Sequence, residues 1–389
     1  MASAPLTKTA VDVDYGDDQA AMEAYRAEGT ARALAMDNRG PLRLDDNGRL
    51  EPAILDAYSR HGFYIFENLL SETELADLEH DLHDMIERAP TGKDSKVDAK
   101  GRPALGADCQ ARTVSMVKPL SDPYGGTDAN LGRHPVKMTE IEAPSDAPEY
   151  VMQLILGTLQ FSPAHLRLYG HPRLLAAAAS IHGDDFVPFN ESIWVKHPRL
   201  GGSVAWHQDG WTHWDSPDFH ENSHGFNMMA QLYGCDAENG LWVIPGTHRS
   251  RKADIKAMVA AAGSERLPDA VPLICGPGDV AITNRQAVHG SFNNTSSKMR
   301  VTFNLGFHNR KSVLDVQGGG VHNDVTVYDA DYIHERSGMI MYGIDARRQR
   351  FAEETPFDYK PLRDEAGSYR WSPEIMPKLK DYNLKDLGI

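Results

Sequence analysis

The sequence predicts a mainly β protein with flanking helices, its strands forming an antiparallel sandwich or barrel. Three observations lead there. From Asp185 onward, short segments rich in apolar residues follow one another: FVPFNESIWVKHP, FNMMAQLYGC, LWVIPG, VPLICG, DVAITN and VTFNLGFH, separated by Gly, Pro, Asn and Asp turns. The helical signals fall before them, in a few separate stretches. Hydrophobic residues make up 41% of the 389 and charged residues 24%, which suits a packed core rather than a disordered chain.

Taken in order, residues 1–50 are polar and punctuated by glycine and read as an N-terminal extension, within which Asp17 to Met36 can form an alanine-rich helix. Phe63, Tyr64, Ile65 and Phe66 then read as a short buried strand. Ser71 and Glu74 have the spacing of a capping box, and Leu75, Leu78, Leu82, Met85 and Ile86 continue at the helical period. Residues 89–112 and 121–149 carry Gly, Pro and charge without periodicity and read as long insertions, lid-like or merely superficial. HPRLLAAAASI is a helix with Pro172 at its start and Gly183 past its end. The strand-rich region completes a domain spanning 51–310. Residues 311–389, polar and containing GGG at 318–320, read as a C-terminal extension packed on the core, or equally as an oligomerisation element. No internal repeat is visible.

The charge balance, 40 Lys+Arg against 55 Asp+Glu for a net −15, disfavours nucleic acid as a partner. Cys109, Cys235 and Cys275 are too few and too scattered for a disulfide framework, which fits a reducing compartment. The first residues lack the apolar core of a signal peptide, and no run approaches a membrane span, so a cytoplasmic protein without membrane association is expected.

The stretch SVAWHQDGWTHW holds the first chemical signal. His207 and Asp209, two apart on an extended strand, share a face from which Gln208 points away. One imidazole and one carboxylate are two of the three ligands of a facial triad, but such a pair also arises by chance among 17 histidines. His289 in VAITNRQAVHGSF supplies a possible third, with Gly290 after it to permit close approach. In RVTFNLGFH, alternation puts Val301, Phe303, Leu305 and Phe307 on one face and Arg300, Thr302 and Asn304 on the other. A cation on the inner face of a strand requires an anion, and a carboxylate suits guanidinium best. Alone, Arg300 fits a structural ion pair better than a ligand site. In combination, two histidines, an aspartate and this arginine match a ferrous ion with a 2-oxo acid and dioxygen beside it.

The sequence resembles the phytanoyl-CoA dioxygenase-like family of Fe(II)- and 2-oxoglutarate-dependent oxygenases. The resemblance rests on GFYIFENLLSETELADLEHDL, HPRLLAAAASIHGDDFVPFNESIWVKHP, WHQDG, DAENGLWVIPGTHRS and GPGDVAITNRQAVHGSFNNTSSKMRVTFNLGFH, in that order. It implies a double-stranded β-helix (jelly-roll, cupin-like) core. It implies Fe(II) held by His207, Asp209 and His289, with 2-oxoglutarate and O2 as cosubstrates. Arg300 and Ser291 are the implied contacts of the distal carboxylate, Asn190 a group near the cosubstrate, and Lys118 a further carboxylate contact. Trp206 and Trp211 are expected to flank the site, Trp211 touching substrate, with His213 and Trp214 on the following loop and His248 structural. Because Asp209 is present where a halogenase has a small residue, hydroxylation of a small-molecule metabolite is the leading expectation. Desaturation, epoxidation and ring formation use the same iron site. The rivals are a metal-dependent jelly-roll hydrolase or isomerase, which needs no counterpart of Arg300, and a non-catalytic small-molecule-binding module, which needs no intact triad. Neither substrate nor oligomeric state can be read.

Overall fold

Strand pairing among the described residues gives two facing sheets and a separate two-stranded pair, Gln317–Gly318 with Thr326–Val327. The computed structural model describes residues 13–209, 225–318 and 326–386. The major sheet contains β1 (Arg39–Gly40), β2 (Phe63–Phe66), β3 (Val114–Val117), β4 (Val151–Leu156), β5 (Phe186–Lys196), β7 (Gly225–Gln231), β10 (Val280–Asn284) and β12 (Arg300–Asn309), in the order β1-β2-β10-β7-β12-β5-β4-β3. The minor sheet contains β6 (Val204–His207), β8 (Trp242–Val243), β9 (Val271–Pro272) and β11 (His289–Ser291), in the order β6-β11-β8-β9. All these pairings are antiparallel except β1 with β2. This is the expected jelly roll, with helices outside and no closed barrel.

Alternation along the central strands decides what each face meets. On β12, Val301, Phe303, Leu305 and Phe307 enter the core under the helices, while Arg300, Thr302 and Asn304 line the space between the sheets. On β7, Phe226, Met228 and Ala230 join the same core, and Asn227, Met229 and Gln231 face inward with the β12 polar set. Two neighbouring strands with this apolar-out, polar-in pattern make an interior that is a site rather than a core.

The outer face of the major sheet is covered by α2 (Pro52–His61), α3 (Glu72–Glu87), α4 (Pro163–Tyr169), α5 (Pro172–His182) and α7 (Ala330–Arg350), which contribute Ile54, Leu78, Leu166, Leu175 and Ile340. The capping box at the start of α3 forms in both directions between Ser71 and Glu74. The outer face of the minor sheet is covered by α1 (Gln19–Leu34) and α6 (Ile255–Ala262). Tyr25 stacks on Trp242 at 4.5 Å, and its hydroxyl donates to the Leu267 carbonyl at 2.9 Å. Gly29 of α1 leaves room for the same indole, since a Cβ there would lie 2.6 Å from it. Helix α1 therefore completes the hydrophobic layer of the minor sheet, while Leu42 and Leu50 join the core of the major one.

The 21-residue helix α7 lies in a segment whose polarity suggested no such element. Two of its arginines are buried against carboxylates. Arg336, 1% exposed, bonds Glu191 Oε2 at 2.9 Å and Asp386 Oδ1 at 2.9 Å, and Arg347 bonds Glu74 at 2.7 Å. Gly343 and Gly170 let α7 and α4 approach backbone to backbone, because a Cβ on Gly170 would lie 2.1 Å from the Gly343 carbonyl carbon.

Two stability predictions follow from these buried groups. Arg336→Met strands two carboxylates and should cost about 3–5 kcal/mol in urea unfolding. His165, fully buried between Thr158 Oγ1 at 2.7 Å and the edge of Phe303, is pushed by burial down to about 3. An unfolded histidine takes its proton near pH 6.5, so the stability from neutral His165 is present above that pH and lost as pH falls towards 3. His165→Leu should flatten the acid-side slope of stability by up to about 1.4 kcal/mol per pH unit, read from denaturant melts between about pH 6.5 and 4.5.

Candidate metal centre

The register of β6 against β11 places His207 directly opposite His289. Their ring centroids are 4.1 Å apart. Each imidazole is oriented by its own strand: His207 Nδ1 lies 2.8 Å from the Ala205 carbonyl and His289 Nδ1 lies 2.9 Å from that of Ala287. A carbonyl can only accept, so each Nδ1 carries a proton and leaves Nε2 as the nitrogen that can ligate. Burial pushes His289 down to about 4, which keeps it neutral and able to ligate at physiological pH.

Asp209 sits just past β6 and completes the trio. Its backbone N–H donates to the Arg285 carbonyl at 2.7 Å, and Asn227 Nδ2 donates to Oδ2 at 3.0 Å. Oδ1 is buried without a hydrogen bond, 3.3 Å from His207 Nε2. Oδ2 is 3.7 Å from His289 Nε2. Burial opposes ionisation of Asp209, but His289, the His207 contact and Arg285 outweigh it and hold the carboxyl well below the usual range. One donor atom from each of the three residues lies within 4.8 Å of the others. Two imidazole nitrogens and a carboxylate oxygen on one side form the donor set that suits ferrous iron. The unsatisfied Oδ1 fits an ion beside it.

Behind Asp209 is a polar network that motif reading missed. Arg285 Nη1 donates to both Asn227 Oδ1 and Asn190 Oδ1 at 3.1 Å, and its guanidinium lies over the Phe189 ring. Gln208 faces away, as alternation requires, and ties the 251–253 turn through Arg251 and Ala253.

The trio opens into a cavity of about 590 Å³, counted to its mouth, whose lining includes Arg300, Ser291, Thr302, Trp194, Met229 and Leu241. Arg300 is 5% exposed, and its Nε has no partner. Burial lowers it to about 10, so it stays charged. The Ser291 hydroxyl beside it is also unsatisfied. Lys196 pairs with Arg300 across β5 and β12; it is fully buried, donates to the Phe292 carbonyl, and has its pKa lowered by burial first and then by Arg300. A second buried cation was visible in principle: Lys196 shares the inward face of β5 with Trp194, opposite Ile193 and Val195.

The structure brings His207, Asp209, His289, Arg300 and Ser291 to one cavity and distributes the other expected residues elsewhere. Lys118 is exposed at the end of β3. Strands β4 and β5 separate β3 from β12, a displacement of about 14 Å at ordinary strand spacing. Asn190 is held by Arg285 and is not among the residues lining the cavity. Trp206 turns outward into the layer under α1, donating to the Glu265 carbonyl at 2.8 Å, and Gly290 makes room for its indole rather than for a cosubstrate. His248 Nε2 lies 3.0 Å from the Ser59 carbonyl, away from the trio. Trp211, His213 and Trp214 lie outside the described residues.

Sequence comparison places this architecture. The phytanoyl-CoA dioxygenase (PhyH) family matches residues 58–302. The chain belongs to that family. No curated protein matches it. Among solved structures, this PhyH-family chain is similar to EctD from S. alaskensis with 2-oxoglutarate and 5-hydroxyectoine, at 20% identity and a TM-score of 0.48 over 70% of this chain and 80% of that one. It is also similar to the non-heme alpha ketoglutarate dependent carbocyclase SnoK from nogalamycin biosynthesis, at 18% identity and a TM-score of 0.43 over 69% and 87%. The epimerase SnoN from the same biosynthesis aligns at 16% identity and a TM-score of 0.44 over 67% and 82%.

Among the described residues, the support for Asp209 makes a direct prediction. Asn227→Ala removes the bond that orients the carboxylate and should weaken Mn(II) or Fe(II) binding about 10- to 100-fold, measured by anaerobic equilibrium dialysis. Unchanged affinity would show that Asp209 needs no such support.

Proposed function

We propose that the protein is an Fe(II)- and 2-oxoglutarate-dependent oxygenase that hydroxylates a C–H bond of a small-molecule metabolite. The observation that carries this reading is Arg300: a buried, charged guanidinium with no hydrogen bond among the described residues, lining the same cavity as two histidines and an aspartate. A hydrolase or isomerase using the same trio has no need for a cation there.

In this reading His207 Nε2, His289 Nε2 and Asp209 Oδ1 hold the iron, and Asn227 keeps Oδ2 turned away from it. Arg300 and the Ser291 hydroxyl receive the distal carboxylate of 2-oxoglutarate, and Lys196 adds positive potential at that end. With iron and cosubstrate bound, the centre supplies dioxygen activation coupled to oxidative decarboxylation, yielding succinate and carbon dioxide. Val204, Met229 and Leu241 form apolar wall that limits water around the cosubstrate. Asp209 fills the position that a halide needs, which favours hydroxyl over halogen transfer. The 51–310 segment acts as the catalytic domain, and the insertions select the substrate.

The test is anaerobic addition of Fe(II) and then 2-oxoglutarate, following the visible charge-transfer band of the chelate. Wild type should develop the band and His289→Ala should not. Arg300→Gln should need on the order of 100-fold more cosubstrate, taking about 1.5 kcal/mol for each of two charged hydrogen bonds. A folded wild type that gives no band at saturating cosubstrate would overturn the assignment.

A further inference from the structure

The insertion at 121–149 reaches the metal trio with two side chains that the proposed chemistry has not used. Arg133 Nη1 lies 3.5 Å from Asp209 Oδ1. The His134 ring lies 4.4 Å from that of His207 and stacks on Tyr124 at 5.5 Å. The Arg133 side chain is 7% exposed. It makes no hydrogen bond among the described residues, and its Nε is buried without a partner. Burial lowers its pKa, with Asp209 and then Tyr124 opposing. A guanidinium has five N–H donors, and a single ion contact at 3.5 Å uses none of them well.

The loop that presents Arg133 is held in place. The buried Asp122 carboxylate accepts from the Gly125 N–H at 2.9 Å and the Met138 N–H at 2.8 Å, closing both ends of the turn. The Gly126 N–H donates to the His134 carbonyl at 2.8 Å. The base of the loop is tied to the β5–β6 connection by Leu120 with Leu200 and by Ser203 with Ser121. A buried cation on a stitched loop is preorganised for an anion, because neither loop nor side chain must be ordered on binding.

Arg133 does not line the cavity of Arg300. It lines a second one, of about 520 Å³ counted to its mouth, together with Gln208, Lys252, Asp254 and Lys256. Lys252 and Lys256 are exposed at its rim, and the Asp254 carboxylate caps α6 through the Ala257 N–H at 3.0 Å. On a chain of net charge −15, the mouth of this second cavity, behind the Arg133 side chain, is locally cationic.

We propose that Arg133 binds an anionic group of the substrate beside the metal, so that the substrate carries a carboxylate or a phosphate ester, with His134 packed against the same group. This rests on the trio being the metal centre. It separates two anion sites: Arg300 for the cosubstrate and Arg133 for the substrate.

The experiment uses the full chain loaded anaerobically with Fe(II) and 2-oxoglutarate, and follows the shift of the charge-transfer band on adding matched probes. Hexanoate is compared with hexanamide, and hexyl phosphate with hexanol. At least one anion should perturb the band at a concentration tenfold or more below its neutral partner, and which anion does so distinguishes carboxylate from phosphate. That preference should disappear in Arg133→Gln and persist in weakened form in Arg133→Lys, while each variant still forms the chelate band at a cosubstrate concentration within about twofold of wild type. Equal response to anion and neutral partner, no response to either anion, or a preference surviving in Arg133→Gln would overturn the proposal. A chelate band weakened in step with probe binding would place Arg133 in support of Asp209 instead, and also overturn it. Absence of the band before any probe is added marks failure of the metal-centre reading itself.

Discussion

The site depends on one strand register. His289 sits opposite His207 across β11 and β6, so two residues far apart in sequence present neighbouring imidazoles to one point. A slip of one residue would turn either ring to the outer face, where Trp206 and Phe292 pack under α1. The outer layer therefore protects the inner chemistry. Trp206, Trp242 and Tyr25 fill the far face of the minor sheet and penalise any register that would bring them inward. The i−2 carbonyls of Ala205 and Ala287 then fix which nitrogen of each ring faces the cavity.

Electrostatics gives the interior a character opposite to that of the whole molecule. Arg300 and Lys196 stand buried at one end of the cavity, Arg285 behind Asp209, and Arg133 beside it. Elsewhere buried charges come in pairs that satisfy them, as where Arg336 joins Glu191 and Asp386 or Arg347 joins Glu74. Around the trio the buried cations meet neutral groups or share the single carboxylate of Asp209: Arg285 bonds two asparagines, Lys196 a backbone carbonyl, and Arg133 lies beside Asp209. The contrast separates ion pairs that hold the fold from the cations gathered around the trio.

What the sequence made legible follows from periodicity. The two-residue alternation of RVTFNLGFH put Arg300 on the inner face with Thr302 and Asn304, and the HxD spacing put Gln208 outward. The Ser71–Glu74 cap and the α5 boundaries were equally readable, since each is a local rule obeyed locally. The insertions have no period, so nothing in 121–149 marked Arg133 or His134 as residues that reach the trio. Lys118 lies exposed at the end of β3, with β4 and β5 between it and β12, and strand order is a long-range property that local pattern does not carry. Helix α7 escaped because its apolar positions are interleaved with charges, and only their partners on β5, α3 and the C-terminal segment show that Arg336 and Arg347 are buried. Trp211 lies outside the described residues.

The central claim is that Arg300 and the His207, Asp209 and His289 trio serve one bound cosubstrate. The most direct measurement is a crystal structure of the protein grown without oxygen in the presence of Fe(II) and 2-oxoglutarate. The account predicts iron on His207 Nε2, His289 Nε2 and an Asp209 oxygen, with the far carboxylate of 2-oxoglutarate on Arg300 and the Ser291 hydroxyl. Iron bound elsewhere, or Arg300 turned to a protein carboxylate with no cosubstrate in its cavity, would contradict it.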